Sequence, residues 1–246
     1  MTSVQKANAV TVIPSSQLAK PPTSSSGSSA ALQFACGIWV YIDDWNYRFG
    51  DEKIILVRGA NGAENNPSEN NPTPSIVLDP RLNNLAIGMS VMTSDDTTHG
   101  ESSSATTATT TNTTDNNTKD KKKDGKQYTR LHVCHVKEVP LQRWSHILVS
   151  CSGRALDIYL NGKLVQTCML PGVPNIQSND NFYITPSGGF SGYTSRFRYW
   201  PNAISPQDVW DVYRDGFSSG FMNFFEQVRL KMTLMSNGME RGSVTL

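Results

Sequence analysis

The chain has 246 residues, a formal net charge of +1 and a hydrophobic content of 37%. This near-neutral charge creates no field that would draw the chain onto nucleic acid, so we expect no nucleic-acid partner. No apolar stretch approaches the roughly 18 residues that a membrane-spanning helix needs, and the polar start of the chain makes a poor signal peptide.

Residues 1–31 are expected to form a polar, extended arm. Pro21 and Pro22 are followed by a Ser-rich run. A segment of this composition buries too little apolar surface to offset the entropy lost on ordering. We therefore expect the arm to be disordered alone or held by a partner.

The folded part is expected to begin near Leu32 and to continue to residue 235. In the run 32–43, apolar side chains alternate onto one face, while Trp39 and Tyr41 occupy the other. This period of two is typical of a β-strand. Similar patterns predict strands over Lys53–Arg58, Ser75–Leu78, Leu85–Met92, Arg130–Val139, Trp144–Cys151, Ala155–Leu160, Lys163–Leu170, Asn181–Thr185 and Tyr193–Trp200.

Residues 93–127 interrupt this series of strands. They contain no Leu, Ile, Val, Phe, Met, Tyr or Trp and are rich in Ser, Thr and Asn. We interpret them as a low-complexity insertion between two strands, which a sandwich tolerates because loop-closure entropy grows slowly with length. Asn112 and Asn116 lie in formal glycosylation sequons within it.

One helix and one further strand are predicted after the last of these strands. Ser205 is suited to the N-cap, Pro206 to the first helical turn and Gly216 to the position after the C-terminus. Clean alternation from Glu226 to Met235 predicts a strand with one buried face. Residues 236–246 are expected to form a polar tail.

Four features, in this order, resemble the laminin-G-like group of the concanavalin A-like lectin/glucanase superfamily. They are Trp144 with His146, the hairpin Tyr159–Gly162, the corner Gly188–Gly192 and the closing helix within Ala203–Gly216. The resemblance covers residues 32–216 and implies an all-β, two-sheet antiparallel jelly-roll sandwich with one short helix near the C-terminal side. It does not fix a function, because this fold carries lectins, adhesion modules, glycosidases and capsid-type proteins.

The resemblance also implies a vacant place in the sandwich. Members of the family usually have one or two strands before the strand that holds Trp39, and here the N-terminal arm occupies that position. We therefore expect Glu226–Met235, or a neighbouring subunit, to fill the vacant edge.

The sequence does not support catalysis. A glycosidase needs two carboxylates beside the sugar ring, and the Glu-x-Asp-x-x-Glu signature of the glucanase branch is missing. No Ser lies in a Gly-x-Ser-x-Gly elbow, and the HVCHV run at His132–Val136 lacks two further zinc ligands. We expect no catalytic residues and no zinc.

Calcium is the one candidate cofactor. Lectin-like relatives often bind this ion through loop carboxylates and carbonyls, and Asp43, Asp44 and Asn46 supply suitable oxygens after the first strand. The segment Asn179–Asn181 is a second candidate. The alternative interpretation is that both sets are solvated turn residues.

Three residues of the last predicted strand form a candidate binding face for a glycan or a partner protein. Arg196 and Arg198 alternate with apolar neighbours and share a face with Trp200. A basic and aromatic face of this kind is able to stack a sugar or to dock an acidic partner. It is equally typical of the solvated face of an outer sheet.

The four cysteines, Cys36, Cys134, Cys151 and Cys168, are spread over the predicted strands without a CxxC pair. We expect buried free thiols, because Cys is among the most frequently buried residue types. Disulfides remain an alternative in an oxidising compartment.

Two functions are compatible with these features. The first is a non-enzymatic structural module of a large assembly, such as a minor capsid or virion protein of a large DNA virus, which contacts other subunits through residues 1–31, 93–127 and 217–246. The second is an extracellular lectin-like or adhesion module, with calcium as a candidate ligand. Glycan binding with and without EDTA separates the two functions.

Overall fold

A computed structural model of the chain describes residues 3–20, 33–60, 71–94, 127–177, 179–218, 231–236 and 239–245. The strands are β1 (Gln5–Lys6), β2 (Thr11–Ile13), β3 (Gln33–Asp44), β4 (Lys53–Gly59), β5 (Ser75–Leu78), β6 (Leu85–Ser94), β7 (Gln127–Val136), β8 (Trp144–Ser152), β9 (Ala155–Leu160), β10 (Lys163–Met169), β11 (Val173–Pro174), β12 (Asn181–Ile184), β13 (Ser191–Trp200), β14 (Lys231–Ser236) and β15 (Met239–Thr245). The α-helix α1 spans Pro206–Arg214, and a short 3-10 turn spans Ser15–Gln17.

Two antiparallel sheets form the sandwich. The six-stranded sheet has the order β1-β13-β3-β8-β9-β10, and the seven-stranded sheet has the order β11-β6-β5-β4-β12-β2, with β7 also paired to β6. All of these pairings are antiparallel. The predicted all-β, two-sheet antiparallel sandwich with one short helix is confirmed.

The core lies between the two sheets and is built from the inward phase of each strand. On β3, Phe34, Ile38 and Ile42 are buried and belong to one continuous cluster with Ile87 and Met89 of β6. Burial of side chains of this size contributes roughly 1.5–3 kcal/mol each. The alternation that predicted the strands is therefore the alternation that fills the core.

Helix α1 has the predicted ends. The Ser205 hydroxyl accepts a hydrogen bond from the backbone N–H of Asp208 at 3.2 Å, and Pro206 is the first helical residue. Gly216 follows the C-terminus with φ +71°, a conformation that glycine adopts without steric cost. Among the described residues, no helix is long and apolar enough to cross a membrane.

The N-terminal residues correct the prediction of an arm outside the sandwich. Gln5 and Lys6 pair with β13, while β2 pairs with β12. Residues 3–20, which we call the N-terminal strap, therefore connect an edge of the six-stranded sheet to an edge of the seven-stranded sheet. Backbone pairing orders this polar segment, and that contribution is invisible in its composition. Residues 1–2 and 21–31 of the predicted arm lie outside the described residues.

The C-terminal residues correct a second prediction. Strand β14 pairs with β15 in a separate two-stranded antiparallel sheet, so residues 231–235 do not fill an edge of the sandwich. The strap has taken the edges beside β13 and β12 instead. Strand β15 also replaces most of the polar tail predicted for residues 236–246. Residues 226–230 of the predicted strand lie outside the described part of the chain.

The predicted insertion lies almost wholly outside the described residues, as do Asn112 and Asn116. The strands on either side of it pair without a shift from Leu85 opposite Val136 to Ser94 opposite Gln127. The segment 95–126 therefore connects two adjacent antiparallel strands. The boundaries 93–127 remain a prediction.

A disulfide corrects the expectation of four free thiols. Cys134 of β7 and Cys168 of β10 are bonded, with their Cα atoms 6.5 Å apart. This bond joins a strand of the seven-stranded sheet to an edge strand of the six-stranded sheet. Cys36 and Cys151 are buried free thiols, as expected. Burial raises the pKa of each of these two thiols to about 12, so both stay protonated and unreactive.

Candidate ligand-binding face

The outer face of the six-stranded sheet carries a row of aromatic side chains. Tyr193 of β13 lies opposite Tyr41 of β3, and Tyr41 lies opposite Trp144 of β8. The ring centroids of Tyr193 and Tyr41 are 6.3 Å apart, and those of Tyr41 and Trp144 are 5.7 Å apart. We call Tyr193, Tyr41 and Trp144 the aromatic row.

Strand alternation and register together produce this row. On β3, the residues flanking Tyr41 point inward, so Tyr41 points away from the core. Antiparallel pairing then places one aromatic residue of each neighbouring strand beside it, where cross-strand side chains contact each other directly. Tyr193 is 39% exposed, while Tyr41 and Trp144 are half-buried. The Tyr193 end of the row is therefore accessible from solvent, and Tyr41 is accessible in part.

Helix α1 and the residue Phe217 cover the adjacent part of the same face. Tyr213 stacks on Trp39 with ring centroids 5.5 Å apart, and Phe217 stacks on Trp144 at 4.4 Å with nearly parallel rings. Trp39 is only 6% exposed. This half of the aromatic face is structural, and the row forms its exposed border.

His146 lies beneath the helix on this face. It is 1% exposed, its ring centroid is 5.1 Å from that of Trp39, and its Nδ1 has no hydrogen-bond partner. Burial lowers the pKa of His146 to about 3, with a smaller contribution from Arg198. The imidazole is therefore neutral at physiological pH and acts as part of the packed aromatic cluster.

A hollow of about 200 Å³ adjoins the exposed end of the row. We call it the Tyr193 hollow, and it is lined by Lys6, Asn8, Asp43, Tyr47, Phe190, Ser191, Gly192 and Tyr193. Its polar groups include an ammonium, an amide, a carboxylate and a hydroxyl. Together they offer both donors and acceptors beside two exposed phenol rings.

Gly192 allows the backbone to approach closely at the floor of the hollow. Its φ is +151°, and a Cβ there would lie 1.9 Å from the carbonyl oxygen of Tyr41. The register of β13 against β3 shifts between Ser191 and Gly192. A glycine is therefore required where β13 enters the sheet and positions Tyr193.

The three residues of the predicted binding face hold the helix in place. The Arg196 guanidinium donates to the carbonyl oxygens of Asp215 and Gly216 at 2.6 and 2.8 Å. Arg198 forms an ion pair of 2.8 Å with the Asp215 carboxylate. Trp200 packs with Val209 of the helix. Arg196 thus satisfies carbonyls at the helix C-terminus, and the two arginines place positive charge where it complements the helix dipole.

A bulge explains this placement. The pairing of β13 with β3 is irregular between Ser195 and Arg198, and Arg196 has φ +46°. An extra residue in one strand reverses the phase of everything that follows it. Phe197 consequently points into the core, while Arg198 and Trp200 lie on the outer face.

A larger cleft of about 480 Å³ lies beside the helix and is lined by Trp200 together with the carboxylates Asp208, Asp211 and Asp215. All three carboxylates already have partners. Asp208 accepts from the Ser205 hydroxyl, Asp211 accepts from Gln207, and Asp215 pairs with Arg198. This cleft therefore serves the attachment of the helix.

The first set of predicted calcium ligands does not converge on one point. Asp44 Oδ1 accepts a hydrogen bond from the backbone N–H of Asn46 at 2.9 Å, which closes its own turn. Asp43 lines the Tyr193 hollow instead. Among the described residues there is no group of three or more His, Cys, Asp or Glu that could hold a metal. Calcium binding by Asp43, Asp44 and Asn46 stays a prediction.

A buried lysine lies at this end of the sandwich. Lys53 is 1% exposed, and its Nζ lies 4.9 Å from the ring centroid of Trp45. Burial, aided by Arg48, lowers the pKa of Lys53, whereas Asp51, Asp79 and Asp44 act to raise it. These carboxylates thus already interact with a resident cation.

The second calcium candidate is also partly engaged. Asp180 is 6% exposed, and burial raises the pKa of its carboxyl, while the nearby Arg58 acts to lower it. Asn181 Oδ1 accepts a hydrogen bond from the backbone N–H of Ser15 in the strap. These residues attach the strap and accompany a buried cation.

Tyr193 and Trp144 were not among the candidate binding residues predicted from the sequence. Their signal was present, because aromatic side chains in the outward phase of a strand are unusual where polar residues are expected. The significance of these aromatic residues depends on the strand register, which places three of them side by side. Lys6 and Asn8 were missed because residues 1–31 were expected to form a separate arm.

Comparison with known proteins gives a family and a set of structural matches. Residues 22–210 match the family model Laminin_G_3, described as the concanavalin A-like lectin/glucanases superfamily. Among solved structures, the botulinum neurotoxin serotype D binding domain matches with a TM-score of 0.48 at 9% identity, covering 83% of this chain and 40% of that chain.

Two other matches are of the same kind. The binding domain of botulinum neurotoxin DC in complex with rat synaptotagmin II matches with a TM-score of 0.46 at 12% identity, over 84% of this chain and 46% of that one. The botulinum neurotoxin serotype G binding domain matches at 0.42 and 13%, over 76% and 37%. The chain therefore spans less than half the length of each of these proteins. No curated protein matches the sequence.

Proposed function

Because the chain belongs to the concanavalin A-like lectin/glucanases superfamily, we propose that it is a non-enzymatic module that binds carbohydrate on the outer face of its six-stranded sheet. The aromatic row is the observation that supports this proposal. A pyranose ring has an apolar C–H face that stacks on aromatic rings, and its hydroxyls need donors and acceptors at the edge of the stack. The row and the Tyr193 hollow supply both.

The geometry favours binding over hydrolysis. Glycoside hydrolysis uses two carboxyl groups on either side of the scissile bond. Asp43 is the one carboxylate among the residues that line the Tyr193 hollow. A ligand seated there meets an acceptor without a second acid or nucleophile.

A glycan array tests this function with the full chain. We expect the wild-type protein to bind, and the double variant Tyr41→Ala/Tyr193→Ala to lose about tenfold or more in affinity, because it removes two ring surfaces whose burial against the sugar contributes roughly 25 cal/mol per Å² of apolar area. Phe49→Ala is the matched control, because Phe49 is 60% exposed in a nearby loop and does not line the hollow. Equal loss in the control, or no glycan binding by the wild type, would contradict the proposal.

The same array carries the calcium prediction. EDTA removes any divalent ion held by Asp43, Asp44 and Asn46, so a loss of binding that added calcium restores would support a calcium-dependent lectin. Unchanged binding in EDTA would show that glycan binding needs no divalent ion.

Assembly of a larger particle is the second candidate. Strand β7 exposes Leu131 and Val133 on the outer face of the seven-stranded sheet, with 41% and 39% of these side chains accessible. Apolar side chains in such a position suit a contact with another subunit. The polar segments 1–31, 93–127 and 217–246 and the setting of a virion or minor capsid protein belong to this candidate. Cross-links from Leu131→Cys and Val133→Cys to other proteins in a native particle would support it.

The disulfide supports either setting outside the reducing cytosol. Disulfides persist in secreted proteins and on virion surfaces, and Cys134–Cys168 joins strands of both sheets. We therefore propose an extracellular or virion-surface location. Mass spectrometry of the protein isolated from its native source without reductant tests this: two free thiols and one disulfide are expected.

A further inference from the structure

We infer that the Tyr193 hollow is the subsite for a single neutral pyranose ring, and that the N-terminal strap supplies two of its polar side chains, Lys6 and Asn8. This inference rests on the proposed carbohydrate-binding function and names the ligand class and the residues of one subsite. Three segments that are distant in sequence meet there. Lys6 and Asn8 come from the strap, Asp43 and Tyr47 from the end of β3 and the loop after it, and Tyr193 from β13.

The strap is anchored on both sides of these residues. Lys6 pairs with Tyr193 in the sheet, and the backbone N–H of Ala7 donates to the carbonyl oxygen of Gly192 at 2.9 Å. The Ala7 carbonyl in turn accepts from the backbone N–H of Phe190 at 3.1 Å, and Ala7 is fully buried. Lys6 and Asn8 flank this fixed point, so both are held at the wall of the hollow before any ligand arrives.

Size restricts the ligand to one ring. Pockets for drug-sized ligands usually enclose about 300–1,000 Å³, and the hollow encloses about 200 Å³. A single monosaccharide unit matches that volume, whereas a longer glycan would have to continue along Tyr41. The aromatic row would then hold the sugar units that lie outside the Tyr193 hollow.

Charge restricts the ligand further. The hollow contains one cation, Lys6, and one anion, Asp43. Their opposite charges leave no net field to select an acidic sugar such as a uronic or sialic acid. Asp43 accepts hydrogen bonds from sugar hydroxyls, Lys6 donates them, and the Asn8 amide does both. Exposed phenol rings of Tyr47 and Tyr193 supply the stacking surfaces.

Isothermal titration with monosaccharides tests the inference on the full chain. The probes are glucose, galactose, mannose, fucose and N-acetylglucosamine, with glucuronic acid and N-acetylneuraminic acid as anionic comparators. We expect at least one neutral sugar to bind more tightly than both anionic ones. Asp43→Asn, which keeps the shape and removes the charge, should weaken that binding about tenfold or more.

Two further variants separate the strap from the sandwich. Asn8→Ala should weaken monosaccharide binding several-fold without changing the unfolding temperature, because Asn8 is exposed. Tyr41→Ala should spare monosaccharide binding and reduce the extra affinity of an oligosaccharide. Leu82→Ala is the control, since Leu82 is 60% exposed in another loop.

The outcomes distinguish this inference from the proposed function. If no glycan binds the wild type, both fail. If oligosaccharides bind through Tyr41 while Asn8→Ala and Asp43→Asn change nothing, the carbohydrate-binding function stands and the subsite is refuted. A preference for the anionic sugars would also overturn the inference.

Discussion

The outer faces of the two sheets differ in chemistry although the same strand alternation builds both. The six-stranded sheet turns aromatic residues outward, among them Trp39, Tyr41 and Trp144. The seven-stranded sheet turns aliphatic residues outward, such as Val57 of β4 and Val133 of β7, and Tyr183 of β12, which packs with Val57, is only 3% exposed. Alternation alone thus produces the sandwich, whereas the identity of the outward residues decides which face has a site.

The half of the aromatic face that lies under helix α1 is packed as tightly as the core, although it lies outside the space between the two sheets. Trp39 contacts His146, Tyr213 and Phe217 and is 6% exposed, whereas Tyr193 at the other end is 39% exposed. Trp39→Ala should therefore cost about 3–5 kcal/mol of unfolding free energy, and Tyr193→Ala less than about 1 kcal/mol. Urea unfolding of both variants measures the difference. Equal losses would mean that the division into a structural and an accessible half is wrong.

The disulfide connects the sheets that carry the two faces. It closes a loop with a sequence separation of 34 residues, and the chain-entropy relation for that length gives about 3–4 kcal/mol of stabilisation. Cys134→Ser/Cys168→Ser should lose stability by that amount. Denaturant unfolding of the wild type in the presence of a reductant checks this result. The reduced wild type should unfold at the same denaturant concentration as the variant.

Acid should destabilise the aromatic face through His146. Its pKa is about 3 in the folded protein and near 6.5 when unfolded, so the unfolded state binds more protons between these values. The stabilisation is complete above pH 6.5 and is lost as pH falls toward 3, at up to about 1.4 kcal/mol per pH unit. From pH 7 to pH 5 this amounts to about 2 kcal/mol. His146→Gln should reduce the change in unfolding free energy, measured by urea unfolding, between pH 7 and pH 5. If that change stays the same in the variant, the pH dependence comes from other groups.

The smallest expected effect concerns the helix that covers half of the aromatic face. Ser205→Ala removes the N-cap hydrogen bond and should cost about 1 kcal/mol. Hydrogen exchange should then quicken in α1 while the amides of β4 and β5 in the seven-stranded sheet keep their relative protection. If hydrogen exchange became equally faster in α1 and in both sheets, the start of the helix would unfold together with the whole domain and not by itself.

Much of the fold was predictable from local pattern. The alternation in Gln33–Asp44 and the Asn161-Gly162 turn each express one physical preference within a few residues. Asn161 and Gly162 have φ of +52° and +75°, as the predicted two-residue hairpin requires. Strands β1 and β2 are only two and three residues long, which is too short to show a period, and strands of this length pair only when a sheet edge is already present.

The site was less predictable because it depends on register and on distant segments. Arg196 and Arg198 were expected to face a ligand together, but one additional residue in the bulge sends Phe197 inward and directs the arginines to the helix end. The bonding of Cys134 to Cys168 depends on how the sheets are stacked, which spacing does not reveal. Asp43 was predicted as a calcium ligand. Its position beside Asn8 depends on the pairing of the strap with β13, which the sequence does not reveal.

The strap also protects the protein against self-association, because it covers two open sheet edges. Open sheet edges present unpaired N–H and C=O groups that recruit other strands, and the strap pairs with such groups on β13 and on β12. A shortened chain that starts at Gln33 would lose Ala7 from the core, together with Ile13 and Leu18 that pack against it, and would expose the edges of β13 and β12. Such a fragment should self-associate through intermolecular strand pairing, so any version made for crystallisation or display should keep the first twenty residues.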